Sequence, residues 1–203
     1  MGYPGSMTPD APPRTAAPAT SARTRILDTA YELFSHYGLR AVGIERIIDE
    51  SEVAKKTFYR HFPSKVDLIL AFLEMRGQRW TRDWLLTEIQ QRATTPREQL
   101  LAPFDALDEW FRSDDYESCS IICVMLEVRD KADPVRQEAV RQIELVREIL
   151  HEIAQQAGLG DPEHTAYQIQ TLMMGAIVSA TRGDLDAAKR ARELAQLLLQ
   201  NAA

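Results

Sequence analysis

From Arg23 onward the apolar residues recur every three or four positions, and no stretch alternates apolar and polar residues with period two. That pattern restricts the chain to helices. In the segment from about 23 to 37, Ile26, Leu27, Ala30, Leu33, Phe34 and Tyr37 form one stripe at helical spacing, and Gly38 supplies the stop. "IERIIDES" then puts Ile44, Ile47, Ile48 and Ser51 on one side, and Glu45, Arg46, Asp49 and Glu50 on the other. "VAKKTFYRHFPSKVDL" leads into "SKVDLILAFLEM", where Ser64 and Asp67 have capping-box spacing. Five later helices are expected to begin at Thr95-Pro96-Arg97-Glu98, near Glu117, at Asp133-Pro134, at Asp161-Pro162 and at Asp184. Gly158 and Gly183 end two of them. The expectation is an all-α chain of about nine helices. A first helix packed on two short ones joined by a tight turn is helix-turn-helix geometry.

Composition narrows the class. The chain is 45 % hydrophobic and 27 % charged, as soluble globular domains are. No run reaches the roughly 18 apolar residues of a membrane span. The first 20 residues hold five prolines and little to bury, so a disordered tail is expected over 1–20, without a secretory apolar stretch. Cys119 and Cys123, at helical spacing in an apolar run, read as buried free thiols of a cytoplasmic protein. His151 and His164 have no partners at metal-ligand spacing, and no cofactor or metal is called for.

The net charge is −6, but it is unevenly placed. Residues 21–65 carry eight Lys/Arg against six acids, a net +2, whereas residues 66–203 carry 15 against 23, a net −8. At 100° per residue, Lys55, Lys56, Tyr59 and Arg60 occupy one arc of the helix over 54–62, and Phe58 and Phe62 occupy another. The phenylalanines anchor the helix on the Ile44/Ile47/Ile48 stripe and the first segment. The basic arc is left for the major groove of double-stranded DNA, with Thr57 and Tyr59 as hydroxyl donors to phosphate. Lys65 lies in the first turn of the next helix, where a phosphate would offset an otherwise unfavourable cation. The ordinary alternative is a solvated charged face. From this helix alone the two readings stand level.

"RILDTAYELFSHYGLRAVGIERIIDESEVAKKTFYRHFPSKVDLI" resembles the DNA-binding domain of the TetR family of transcriptional regulators. The matching elements are "A..LF...G", Ile47, Val53, "T.YRHF.SK" and the start of a Leu-rich helix. The resemblance implies a homodimer that reads a palindrome, and a larger C-terminal domain that binds a small molecule and releases DNA, most often as a repressor. It implies backbone contacts from Thr57, Tyr59, His61 and Lys65, and base edges within reach of Lys55 and Lys56; Arg46 and Arg60 complete the candidate set. Gly43, Glu52, Ala54 and Lys56 depart from the family pattern. Glu52 stands where the family usually has a turn glycine; if it takes positive φ there, the cost is about 1 kcal/mol.

The expected division is 21–67 for DNA binding, with the helix-turn-helix at about 43–62, and 68–203 for effector binding and dimerisation. Ile169, Leu172, Met173, Ala176, Ile177 and Ala180 form one candidate dimer stripe. Ala188, Ala191, Leu194, Ala195 and Leu198 form another. Trp80, Trp84, Phe104, Trp110, Phe111, Tyr116, Met125, Tyr167, Met173 and Met174 are candidates to line a pocket for an apolar or aromatic effector, with plain core as the alternative for any single one. An all-helical enzyme and an architectural helical protein are the competing classes; the chain has no Gly-rich phosphate loop or nucleophile elbow to support the first.

Overall fold

A computed structural model of the chain describes residues 21–114, 116 and 118–202, and the expected tail, 1–20, lies outside them. Among the described residues there are nine helices and no strand, counting two interrupted helices once each. The N-terminal trio is α1 (Ala22–Ala41), α2 (Ile44–Glu50) and α3 (Lys55–His61). α4 starts as Lys65–Gly77, passes into a π-helical stretch, Gln78–Leu85, and finishes as Leu86–Arg92. α5 consists of Pro96–Gln99 and Ala102–Phe111; Pro103 has no N–H for the Gln99 carbonyl, and the ladder breaks there. α6 is Ser120–Glu127, α7 Pro134–Gln156, α8 Pro162–Ala180 and α9 Ala187–Asn201.

Local chemistry accounts for most of the starts. Ser64 and Asp67 cap α4 reciprocally, as Thr95 and Glu98 cap α5. Asp133 and Asp161 accept backbone N–H bonds ahead of a first-turn proline in α7 and α8. Gly43 and Ala54 precede α2 and α3 with no side-chain cap, and Glu52 between them does take φ 53°.

Four expectations are corrected. Gly38, at φ 77° and ψ 168°, kinks α1 rather than ending it, because a further turn carries Leu39 and then Val42 into the core. α6 begins at Ser120 with Cys119 as its cap, not near Glu117, which is outside the described residues. α9 begins at Ala187 after Asp186; the Asp184 carboxylate accepts from Arg190 instead of capping the helix. Of the two thiols, Cys119 is buried but Cys123 is exposed.

Phe34, Phe58 and Phe72 bring α1, α3 and α4 together, with the Phe34 and Phe72 rings edge to face at 5.4 Å. Each such buried side chain contributes roughly 1.5–3 kcal/mol. α4 then continues into the body, where it crosses α7 at Gly77. A Cβ there would stand 1.7 Å from Gln142 Oε1, so only glycine permits this approach with that glutamine in place. α5, α7, α8 and α9 pack together as the body's core.

Candidate DNA-binding face and body cavity

α3 divides as its sequence angles require. Phe58 and Phe62 are 0 % and 2 % exposed, while Lys55, Lys56, Tyr59 and Arg60 are all exposed. Lys55 Nζ donates to Glu45 Oε1 at 2.6 Å, and that bond holds its ammonium above the ordinary lysine value. Arg46 Nε donates to Glu50 Oε1 at 2.7 Å, and its guanidinium lies 4.3 Å from the Tyr37 ring centroid. Hydrogen bonds to Glu50 and then Tyr37 raise it further. Among the described residues Lys56 and Arg60 have no ion pair, so of the candidate cations on α2 and α3 these two stand without a competing carboxylate. Thr57 and His61 are half-buried on the flanks.

Lys65 is placed differently from a simple clamp. Its ammonium donates to the Leu39 carbonyl at 2.6 Å and stands 5.9 Å from the Phe34 ring, and partial burial pushes its pKa down. It ties the end of α1 to the start of α4, leaving two of its three protons for another acceptor. Two cations not among the sequence candidates also lie beside α3. Arg23 sits 5.2 Å from the Phe62 centroid, and Arg25 reaches the Glu52 carbonyl at 3.5 Å. Their signal was the "RTR" just before the first apolar residue.

The candidate effector residues do not form one pocket. A cavity of about 40 Å3 lies between α4, α6, α7 and α8, and of the candidates only Trp80, Met173 and Met174 line it. Thr81, Cys119, Gln142 and Gln170 supply its polar wall. Burial pushes the Cys119 thiol pKa up, which keeps it protonated. Gln170 Nε2 donates to the Ile143 carbonyl at 2.7 Å, but the Thr81 hydroxyl, on a residue 1 % exposed, is without a partner. Trp84 and Trp110 join Trp80 at a separate surface cleft. Phe104 and Phe111 are core residues. The Tyr116 hydroxyl donates to the Ile177 carbonyl at 2.7 Å, and burial pushes its pKa up to about 12. Met125 packs half-buried near the end of α6, and Tyr167 faces outward beneath Arg147.

The candidate dimer stripes are mostly internal. Ile169, Met173, Ala176, Ile177 and Ala180 on α8, with Ala188, Ala191 and Ala195 on α9, are buried within the chain itself. Only Leu172, Leu194 and Leu198 retain exposure. A helix turns its most apolar face into its own core, so periodicity marks that face first. The apolar residues left outward are Tyr167 and Val178 on α8, and Leu194 and Leu197 on α9.

Residues 26–72 match the family described as bacterial regulatory proteins, tetR family. The chain is 25 % identical over 178 residues to the HTH-type transcriptional regulator YjdC of Escherichia coli (strain K12), covering 84 % of this chain and 91 % of that protein. It is 36 % identical over 81 residues to the HTH-type transcriptional repressor KstR of Mycobacterium tuberculosis, or 34 % of this chain and 37 % of that one. The crystal structure of SCO4454, a TetR-family regulator from Streptomyces coelicolor, superposes with a TM-score of 0.80 at 27 % identity, covering 89 % of each chain. The two-faced α3 and these likenesses agree: residues 26–72 form a tetR-family helix-turn-helix DNA-binding domain, and over most of its length the chain is similar to TetR-family transcriptional regulators.

Proposed function

We propose that the chain is a cytoplasmic repressor that binds a palindromic operator as a homodimer and is released by a small apolar or aromatic effector. The observation that carries the DNA contact is the separation on α3 of buried Phe58 and Phe62 from exposed Lys56, Tyr59 and Arg60. In this reading Lys56 and Arg60 meet the groove directly. Lys55 and Arg46 exchange Glu45 and Glu50 for DNA, while Thr57, Tyr59, His61 and Lys65 meet phosphates. Arg23 and Arg25 extend the basic face.

The outward apolar residues Tyr167, Val178, Leu194 and Leu197 support pairing of α8 and α9 with a second copy. Gly175, on the same outward side of α8, has nothing within 4 Å of a notional Cβ and leaves room for a partner helix. Two recognition helices then meet half-sites about 34–36 Å apart. The division into 21–67 and 68–203 falls inside α4, so no loop insulates the halves.

Release follows from that continuity. α4 and α6 both wall the cavity, and both touch α1: Lys65 through the Leu39 carbonyl, Glu127 through Arg40 at 2.8 Å. A cavity of about 40 Å3 must widen to hold an effector. A ligand that favours the widened state shifts the spacing of the recognition helices, and one binding both states equally does nothing. Binding-site selection from random DNA, with and without fractionated metabolites, tests the reading. A palindrome lost with one fraction is expected; an asymmetric site, or a monomer in sedimentation at micromolar concentration, would sink it. A reporter gene under the selected site reads the sign of regulation.

A further inference from the structure

The chain has three tryptophans, and all of them, Trp80, Trp84 and Trp110, meet in one triangle with ring centroids 5.4, 6.0 and 5.8 Å apart. They wall a surface cleft of about 200 Å3 whose other side is Tyr31, Arg76 and Arg79. Tyr31 belongs to α1 and Trp110 to α5, so the cleft lies on the seam between the DNA-binding part and the body. Trp80 also lines the internal cavity, so one indole stands between the two spaces. Trp80 and Trp84 both sit on the π-helical stretch of α4, a local geometry that recurs at functional sites.

The two arginines are in different situations. Arg79 donates to Asp28 at 2.9 Å and covers the Tyr31 face at 4.4 Å. Arg76 has no carboxylate partner among the described residues; its Nη1 donates to the Tyr31 hydroxyl at 2.7 Å, and its buried Nε has no acceptor. Trp80 Nε1 is likewise buried without an acceptor, and the unpartnered Thr81 hydroxyl is next to it in sequence. Leaving such groups unpaired is destabilising, and more so for a charged one. Two residues of the cleft, Arg76 and Trp80, thus carry donors lacking acceptors, and Thr81 adds a third on the cavity side of the Trp80 partition; with the aromatic surroundings they complement a ligand that carries oxygen acceptors and a flat apolar body.

We infer that this cleft binds a planar apolar carboxylate, with the anion held by Arg76 and the rings packed against Trp84 and Trp110. Trp80 is the movable partition through which the ligand's apolar end reaches the cavity. This rests on the effector-responsive reading and names the effector's chemical class. A cation meets two guanidinium groups here, and a neutral ring leaves Arg76 Nε unpaired. Because Tyr31 is on α1, a ligand in the cleft bears directly on the DNA-binding part.

Calorimetric titration of the full-length protein with 2-naphthoate, 2-naphthylmethanol and 2-naphthylmethylammonium tests the inference. The carboxylate should bind roughly tenfold or more tightly than the alcohol, as expected for a hydrogen bond to a charged group, and the ammonium should not bind. Arg76→Met should reduce naphthoate to the alcohol's affinity and leave the alcohol unchanged, while Arg76→Lys keeps part of the preference. Trp84→Leu should weaken both ligands alike. Should Arg76→Met fail to fold, the three indole N–H resonances of the 15N-labelled wild-type protein decide the location, because naphthoate must shift all three. Equal binding of acid and alcohol, an undiminished preference in Arg76→Met, unmoved indole resonances, or no naphthoate binding at millimolar concentration would each overturn it. Band shifts on the selected DNA separate this from the broader reading. Naphthoate bound without DNA release sinks effector release but not the site; release by another compound with no naphthoate binding does the reverse.

Discussion

The N-terminal trio and the body solve opposite problems with the same kind of helix. Around α3 the interior is closed: Phe34, Phe58 and Phe72 fill it, and the charges stay on the surface. Among the described residues of α1 to α3 one buried side-chain polar atom, Ser35 Oγ, lacks a partner. Around α4's π-helical stretch, by contrast, Arg76 Nε, Trp80 Nε1 and Thr81 Oγ1 are all unpartnered beside a cavity and a cleft. A domain that must present one fixed surface to a groove gains from a dense, satisfied core. The part proposed above to accept a ligand has space and unpaired donors, and such a region is locally less stable for it.

The comparison can be broken by substitution. Phe58→Ala should cost about 3–5 kcal/mol in denaturant unfolding and abolish operator binding, because the 0 %-exposed ring leaves a cavity under the recognition helix. A loss below about 1 kcal/mol would show that this core is not closed. Gly77→Ala should cost at most about 1 kcal/mol, because the Gln142 side chain must swing aside while the helix gains roughly that much from alanine, and Gln142→Ala in the same chain should make the substitution stabilising. Additive losses in that double mutant would mean that the two helices do not meet through this pair.

Effects smaller than that of Phe58→Ala separate surface from cavity. Lys56→Ala and Arg60→Ala should each weaken operator binding by about 1–3 kcal/mol where a base is read. If only phosphate is touched, each should flatten the log-affinity against log-salt slope by about 1. No change in affinity or slope would remove these two from the interface. Thr81→Val should leave stability unchanged or raise it by about 1 kcal/mol, since the lost hydroxyl has no partner; a loss of that size would reveal a hidden acceptor. The smallest signal is alkaline. Tyr116 stays protonated in the folded chain to about 12, above its ordinary value near 10, so its contribution is complete below pH 10 and disappears as pH rises towards 12. Tyr116→Phe should remove that part of the pH dependence, and an unaltered alkaline slope would count against it.

Much of the N-terminal site was legible because its determinants are local. The positions of Lys56 and Phe58 on α3 follow from two residues' worth of helical rotation, and the Ser64–Asp67 cap from a spacing of three. Lys65 was legible as a cation at a helix start, but not as the donor to Leu39, 26 residues earlier. The body was less legible. Helical periodicity found α8 and α9, yet the stripes it marked, Ile169 and Ala188 among them, turned out to be the faces buried in the chain itself. Asp184 has a capping residue's chemistry, but Arg190 claims it and the helix begins three residues later.

By itself the sequence determined the helical class, most of the helix starts, and which arc of α3 is apolar, all products of bonds and angles within a few residues. Only the tertiary structure decided that Trp80, Trp84 and Trp110 would meet, that Arg76 would face Tyr31 without a carboxylate, and that Glu127 would reach Arg40. Apart from Trp80 and Trp84, which are neighbours on α4, those pairings join residues 26 to 87 positions apart. They depend on how the helices cross, as where the Gln142 side chain of α7 lies against Gly77 of α4. No local pattern encodes that distance.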